Sequence, residues 1–329
     1  MTRANFWTKL KKPIMAMAPM ANVSDAAFRQ MFVECGKPDV FWTEFVSVEG
    51  LLSDGREKLL TDLRFSEAEH PIVAQIFGGK PEQFEEVGAL IRKLGFDGVD
   101  INMGCPDRGV EKAGAGAAHI KNPTLAKEII RALKKGADPL PVSVKTRLGY
   151  SRTDEMETWL KTLLQEDLAA LTVHLRTRNE MSDVPAHWEL APSIVGLRNR
   201  YAPQTLLLGN GDLDTLEQAR ERVATSGMDG AMIGRGIFGN PWFFTGKTPT
   251  TREKLERMTK HTELFVKMYR SDQPGRLKNF SVMKKHFKAY VEGFEGAKEL
   301  RMQLMETKSA REVEDIVNRF ILAKDVLAA

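Results

Sequence analysis

Cysteine is scarce in this chain: Cys35 and Cys105 are the only two in 329 residues. Two thiols cannot build a disulfide framework or a four-thiolate metal site. Long apolar runs are missing too, and none reaches the roughly 18 residues needed to cross a bilayer as a helix. The opening stretch Met1–Lys12 is polar and basic, without the apolar segment of a secretory signal. There is no internal repeat and no low-complexity tract. No His/Asp arrangement singles out a cysteine as a hydrolytic nucleophile. A disulfide-stapled secreted domain, a helical membrane protein and a repeat array are therefore excluded. The expectation left is a cytoplasmic monomer with no metal and no membrane contact. Apolar residues make up 42% and charged residues 28%, ordinary values for a globular chain.

Net charge is small, +4, but unevenly placed. From Lys247 onward there are 18 Lys and Arg against 12 Asp and Glu, which leaves 30 against 32 before that point. A basic module joined to a near-neutral one suggests a polyanionic partner. A solvated helical surface would give the same count.

The first 240 residues hold eight short apolar, β-branched runs: Ile14–Met20, Val40–Val46, Ile72–Phe77, Gly98–Met103, Val142–Thr146, Ala170–His174, Thr205–Gly209 and Gly230–Ile233. Several are almost continuously apolar, as parallel strands buried on both faces must be. Helical spacing fills the gaps at Glu82–Leu94, Thr124–Leu133, Glu155–Leu164 and Leu213–Ala224. This alternation predicts a (β/α)8 TIM barrel over residues 1–246, with an open doubly wound sheet as the rival. After Pro241 no strand pattern remains. Thr248-Pro249-Thr250-Thr251 reads as a linker and helix cap. Lys254–Tyr269, Lys278–Gly293, Ala297–Met305 and Ala310–Val326 read as helices of a small all-helical domain, 247–329.

In such a barrel, chemistry sits at the C-terminal strand ends. Polar or glycine-rich residues recur there: Ala18-Pro19-Met20, Gln75, Asn102 through Pro106, Lys145-Thr146-Arg147, His174 through Arg178, Asn210-Gly211-Asp212 and Gly234-Arg235-Gly236. The last two let backbone N–H groups approach a phosphate, with the Arg235 fork beside them. Lys145 interrupts an apolar strand and needs either an ion-pair partner or an electron-rich ligand. Gln75 and Asn102 carry donors and acceptors suited to a heterocycle edge. Cys105 lies between Gly104 and Pro106 at a turn, and with an ordinary pKa of about 8.5 its thiol is a proton donor at neutral pH. Cys35 follows a helical pattern and reads as structural.

These segments, together with Asp100-Ile101 ahead of Asn102 and Val144 ahead of Lys145, resemble the dihydrouridine synthase family in order across residues 13–245. Asn102-Met103-Gly104-Cys105-Pro106 is the most specific element. The helical tail is similar to that family's RNA-binding domain, and Met283-Lys284-Lys285-His286 to its basic helix. The resemblance implies a (β/α)8 barrel with one FMN, NADPH (or NADH) as reductant and tRNA as partner. It implies that Ala18, Pro19 and Met20 lie at the flavin ring, and that Gln75, Lys145 and His174 hydrogen-bond it. Asn210, Gly211, Asp212, Gly234 and Arg235 would hold the phosphate end. Asn102, Arg176, Arg178, Lys284, Lys285 and His286 would meet the RNA, and Cys105 would be the acid. The implied reaction passes hydride from flavin N5 to uracil C6, with Cys105 protonating C5 of a flipped-out base.

Leu175, Gly109, His119 and the loop Asn179–Trp188 depart from the family pattern and leave the target uridine open, as well as the choice of tRNA over ribosomal RNA. Two rivals share the motifs: an FMN barrel reductase acting on a free small molecule, and a redox-inactive RNA-binding relative. The basic tail argues against the first. Intact Cys105, Lys145 and His174 argue against the second.

Overall fold

The computed structural model describes residues 5–328, with side chains described through Lys324. Eight strands form one parallel sheet: β1 (Ile14–Met17), β2 (Phe41–Ser47), β3 (Ile72–Phe77), β4 (Gly98–Met103), β5 (Val142–Arg147), β6 (Ala170–His174), β7 (Leu206–Asn210) and β8 (Gly230–Ile233). The strands neighbour one another in the order β1-β8-β7-β6-β5-β4-β3-β2. A parallel bridge between Ala16 and Val40 joins the two ends, so the sheet closes into the expected (β/α)8 barrel. The eight predicted runs coincide with these strands to within a few residues.

Strand alternation separates two chemistries. On the outside, Thr146 accepts from Trp159 Nε1 of the helix Met156–Leu164 at 2.9 Å. On the inside, Ser143 Oγ donates to Asp100 at 2.6 Å. At the N-terminal end the barrel is sealed by apolar bulk. Trp7, on the short helical turn Phe6–Lys9, meets Trp42 at 5.8 Å above Ile14, Ala16, Val73, Ala170, Leu208 and Met232. Polar groups are thereby concentrated at the opposite, C-terminal end.

The outer helices follow local rules. Pro81–Leu94 starts with proline in its first turn and stops at left-handed Gly95, φ 91°. Pro123–Ala137 is capped by Asn122 Oδ1, which accepts from Leu125 N. These two helices meet so closely that a Cβ on Gly136 would stand 1.9 Å from the Glu85 carbonyl oxygen.

The chain forms two compact units. One is Pro38–Arg235 with the segment up to Met20. The other joins residues 21–37 to residues 236–329. The second unit is helical. It contains Ala26–Cys35, Thr251–Tyr269, Met283–Tyr290, Ala297–Glu306 and Ala310–Ala328. Thr250 caps Thr251–Tyr269 through a reciprocal pair with Glu253, at 3.2 and 2.8 Å. The helix expected over Lys278–Gly293 is shorter in the structure. Asn279 starts a tight 3-10 turn before it, and Val291 leaves the helical conformation after it. Its core includes Leu255, Met258, Phe265, Tyr269, Met283, Phe287, Leu300 and Val313. Tyr269 Oη accepts from Ala26 N at 3.0 Å, tying the early helix to the late ones.

Candidate active site

Three strands, β3, β4 and β5, contribute inward-facing polar side chains, most of them joined in one continuous hydrogen-bond network. Register sets Gln75 beside Asp100, Asp100 beside Ser143, and Asn102 beside Lys145. Asp100 accepts from Ser143 Oγ and from Gln75 Nε2 at 2.7 Å. Gln75 Oε1 accepts from Asn102 Nδ2 at 3.1 Å. Asn102 Oδ1 then accepts from the N–H groups of Gly104 and Cys105, at 3.1 and 2.9 Å. Burial pushes Asp100 up to about 6, against the pull of its two donors and of Lys145.

The network ends on the Cys105 turn. Cys105 is half-buried, and its carbonyl accepts from Ala117 N at 2.9 Å. Burial raises the thiol above its ordinary pKa, so it stays protonated at neutral pH. Such a group gives a proton more readily than it attacks as a thiolate.

Lys145 is half-buried, and among the described residues its Nζ has no hydrogen-bond or ion-pair partner. Burial and the Arg147 cation pull its pKa down to about 8, so it still carries charge at pH 7. His174 is held well below its ordinary pKa, first by burial and then by the cations around it. It is therefore neutral. Arg176 Nη1 reaches His174 Nε2 at 3.2 Å, which makes Nε2 the acceptor and leaves the proton on Nδ1. The N–H groups of Gly211, Asp212, Gly234 and Arg235 have no protein acceptor among the described residues. Gly211 sits at φ 127°, where a side chain is strained, and its added Cβ would fall 2.8 Å from Ala186. An unpartnered ammonium, a neutral ring donor and a run of free backbone donors suit an anionic heterocycle that carries a phosphate.

Comparison with known proteins identifies the family. The family model described as "Dihydrouridine synthase (Dus)" matches residues 16–325. A Staphylococcus aureus protein named "Probable tRNA-dihydrouridine synthase" is 46% identical over 322 residues, covering 97% of this chain and 96% of its own. The Bacillus subtilis "Probable tRNA-dihydrouridine synthase 2" is 44% identical over 319 residues, covering 96% of each. The chain belongs to the dihydrouridine synthase family. It is accordingly an oxidoreductase. Among solved structures, a 2-naphthoyl-CoA reductase bound to 2-naphthoyl-CoA superposes with a TM-score of 0.53 at 12% identity, over 70% of this chain and 49% of that one. At that identity the likeness is one of fold.

Against this dihydrouridine synthase frame, the predicted site residues fall into three groups. Cys105, Asn102, Gln75, Lys145 and His174 belong to the polar C-terminal end of the barrel, although Gln75 is fully buried and both ends of its amide are engaged. At the β1 and β8 ends, Ala18 N donates to Ile233 O, and Gly234 lies near Ala18 and Met20. A Cβ on Gly234 would still keep 3.8 Å from each. Pro19 is buried between Ala18 and Met20 in the chain.

A second group is held internally. Asn210 Nδ2 bridges to Met232 O at 2.7 Å. Arg176, 2% exposed, donates to Asp212 at 2.5 Å and to Val184 O at 2.6 Å. Asp212 also takes Arg235 at 2.8 Å and Ala186 N at 2.8 Å. Arg178 is paired with Glu111 and donates to Pro106 O. Both rim arginines expected to meet RNA thus brace loops.

The third group lies on the helix Met283–Tyr290. Lys285 is exposed and Lys284 half-buried. His286, expected to meet the RNA beside these lysines, lies elsewhere. It is fully buried among Phe28, Phe238 and His261, and has no face to offer a ligand at the surface.

Two of the residues expected to depart from the family pattern, His119 and Leu175, are built into the interior. His119 is buried, neutral with its pKa pulled to about 4, and reaches the Gly78 carbonyl at 3.0 Å. Leu175 is fully buried, and its backbone pairs with Asn210 O and His187 N. Arg147, quoted in a motif without a role, proves to join two loops. Its place two residues beyond Lys145 on one strand, and so on the same face, was the available signal.

Proposed function

We propose that this chain reduces the C5–C6 double bond of uridine in tRNA to dihydrouridine, with FMN as bound cofactor and NADPH as reductant. The observation that carries the reading is a protonated thiol on a braced turn at the same barrel end as an unpartnered lysine and a neutral histidine donor. Reduced FMN supplies the hydride that uracil receives at C6. Cys105 Sγ–H delivers the proton to C5, and the resulting thiolate regains its proton from solvent. Asn102 keeps one N–H of its amide for the uracil edge. Lys145 places positive charge where an electron-rich ring gathers negative charge. His174 donates from Nδ1. The free N–H groups of Gly211, Asp212, Gly234 and Arg235 hold the phosphate. A base inside a stack is beyond reach of such a site, so the target uridine must leave the stack. Lys284 and Lys285 meet the phosphate backbone, and the names of the relatives favour tRNA over other RNA.

The test is Cys105→Ala. The variant should stay yellow and be bleached by NADPH at the wild-type rate. Its reoxidation by tRNA should fall by about 10²–10⁴-fold, the range for loss of a general acid. Full dihydrouridine yield from this variant would remove Cys105 from the mechanism.

A further inference from the structure

We infer that Arg147 is a positioning residue for the proton donor, tying the Cys105 turn to the loop after β6 and so fixing where the thiol points. The inference rests on the proposed role of Cys105. Arg147 ends β5 and is 7% exposed. Its Nε donates to the Gly104 carbonyl at 2.8 Å. Its Nη1 donates to the Thr177 carbonyl at 2.9 Å and the Met181 carbonyl at 3.0 Å. No carboxylate pairs with it among the described residues, so carbonyl dipoles alone receive a buried guanidinium. Burial lowers its pKa only to about 10, and it stays charged.

The geometry closes around Gly104. Asn102 Oδ1 takes the N–H of Gly104, Arg147 takes its carbonyl, and a Cβ there would stand 3.2 Å from the Thr146 carbonyl carbon. The peptide leading into Cys105 is thus gripped from both sides. The far end of the guanidinium grips a loop in which Met181 sits at φ 52°, a conformation non-glycine residues adopt only when held. Arg176 grips the same loop at Val184. Three acceptors on two loops need a rigid fork, which lysine lacks although it keeps the charge.

The experiment compares Arg147→Lys and Arg147→Gln in a Cys35→Ser background. Iodoacetamide labelling of Cys105 is followed against pH by peptide mass spectrometry, beside stopped-flow NADPH reduction and tRNA-driven reoxidation. For Arg147→Lys we expect the labelling plateau to change at least threefold with its pH midpoint unmoved. The kcat with tRNA should fall about 10–100-fold, with KM and NADPH reduction within twofold. Arg147→Gln should also raise the labelling midpoint, because the cation that favours the thiolate is gone. Labelling is read on flavin-free protein as well, so loss of flavin would not blunt the test. Wild-type labelling and reoxidation in Arg147→Lys would overturn the inference while Cys105→Ala stays inactive. Full turnover by Cys105→Ala would instead defeat the donor role and leave the labelling result standing.

Discussion

Changing His286 to leucine should make the helical unit less sensitive to acid. His286 and His261 lie ring against ring, 4.7 Å between centroids, with Phe28 at 5.2 Å and Phe238 at 6.0 Å from His286. Among the described residues, neither histidine has a hydrogen-bond partner at either ring nitrogen. Burial, reinforced by the Lys285 charge, pulls His286 from 6.5 to about 3. In the unfolded chain the ring takes a proton as pH falls below about 6.5, while in the folded chain it stays neutral to about 3. The unfolded state therefore binds more protons across this window. Stability falls as pH drops through it and is flat above about pH 7. At pH 5 the unfolded ring is about 1.5 pH units past its midpoint, which costs about 2 kcal/mol. His261, also held low by burial, acts in the same direction. Leucine is of similar size, has no proton to gain and removes two unsatisfied nitrogens. Amide exchange read by mass spectrometry over Thr251–Tyr269 and Met283–Tyr290, at pH 7.5 and pH 5 and corrected for intrinsic rates, measures the effect. The wild type should lose about 2 kcal/mol more protection than His286→Leu between the two pH values. Equal losses would refute the reasoning.

Gly136→Ala should lower stability by about 3 kcal/mol or more, seen as a melting point several degrees lower, because its methyl would overlap the Glu85 carbonyl. Lys145→Met should weaken FMN about 10–100-fold, equivalent to roughly 1.5–3 kcal/mol. Wild-type FMN affinity should decline as pH rises through about 8, where Lys145 loses its proton, and that decline should vanish in Lys145→Met when followed by flavin fluorescence. Lys284→Glu with Lys285→Glu should weaken tRNA binding without altering NADPH reduction. The slope of log affinity against log salt should shrink by up to about two in filter binding.

The barrel was legible because parallel strands buried on both faces leave continuous apolar runs, and Val142–Thr146 or Gly98–Met103 can hardly be anything else in a chain of this alternation. The polar rim was legible for the same reason: Lys145 and His174 interrupt or end such runs. Pairings between distant loops were not. Nothing near Arg178 announces Glu111, 67 positions away, or near Arg176 announces Asp212, 36 positions away. A charged side chain in sequence looks the same whether it faces RNA or a carboxylate. The burial of His286 is legible in the helical spacing. Met283, His286, Phe287 and Tyr290 follow helical spacing and are all buried, which puts the histidine on the apolar face of a helix whose lysines point elsewhere.

The helix Ala26–Cys35 packs with chain made some 200 residues later. At about 5–20 residues per second, Phe28, Met31 and Phe32 leave the ribosome roughly 10–40 s before Thr251–Tyr269 exists to cover them. The helical unit is therefore assembled from the first and last portions of the nascent protein. A fragment cut at residue 246 would present that sticky early face to solvent, and a tail expressed alone would be short of one wall of its own interior.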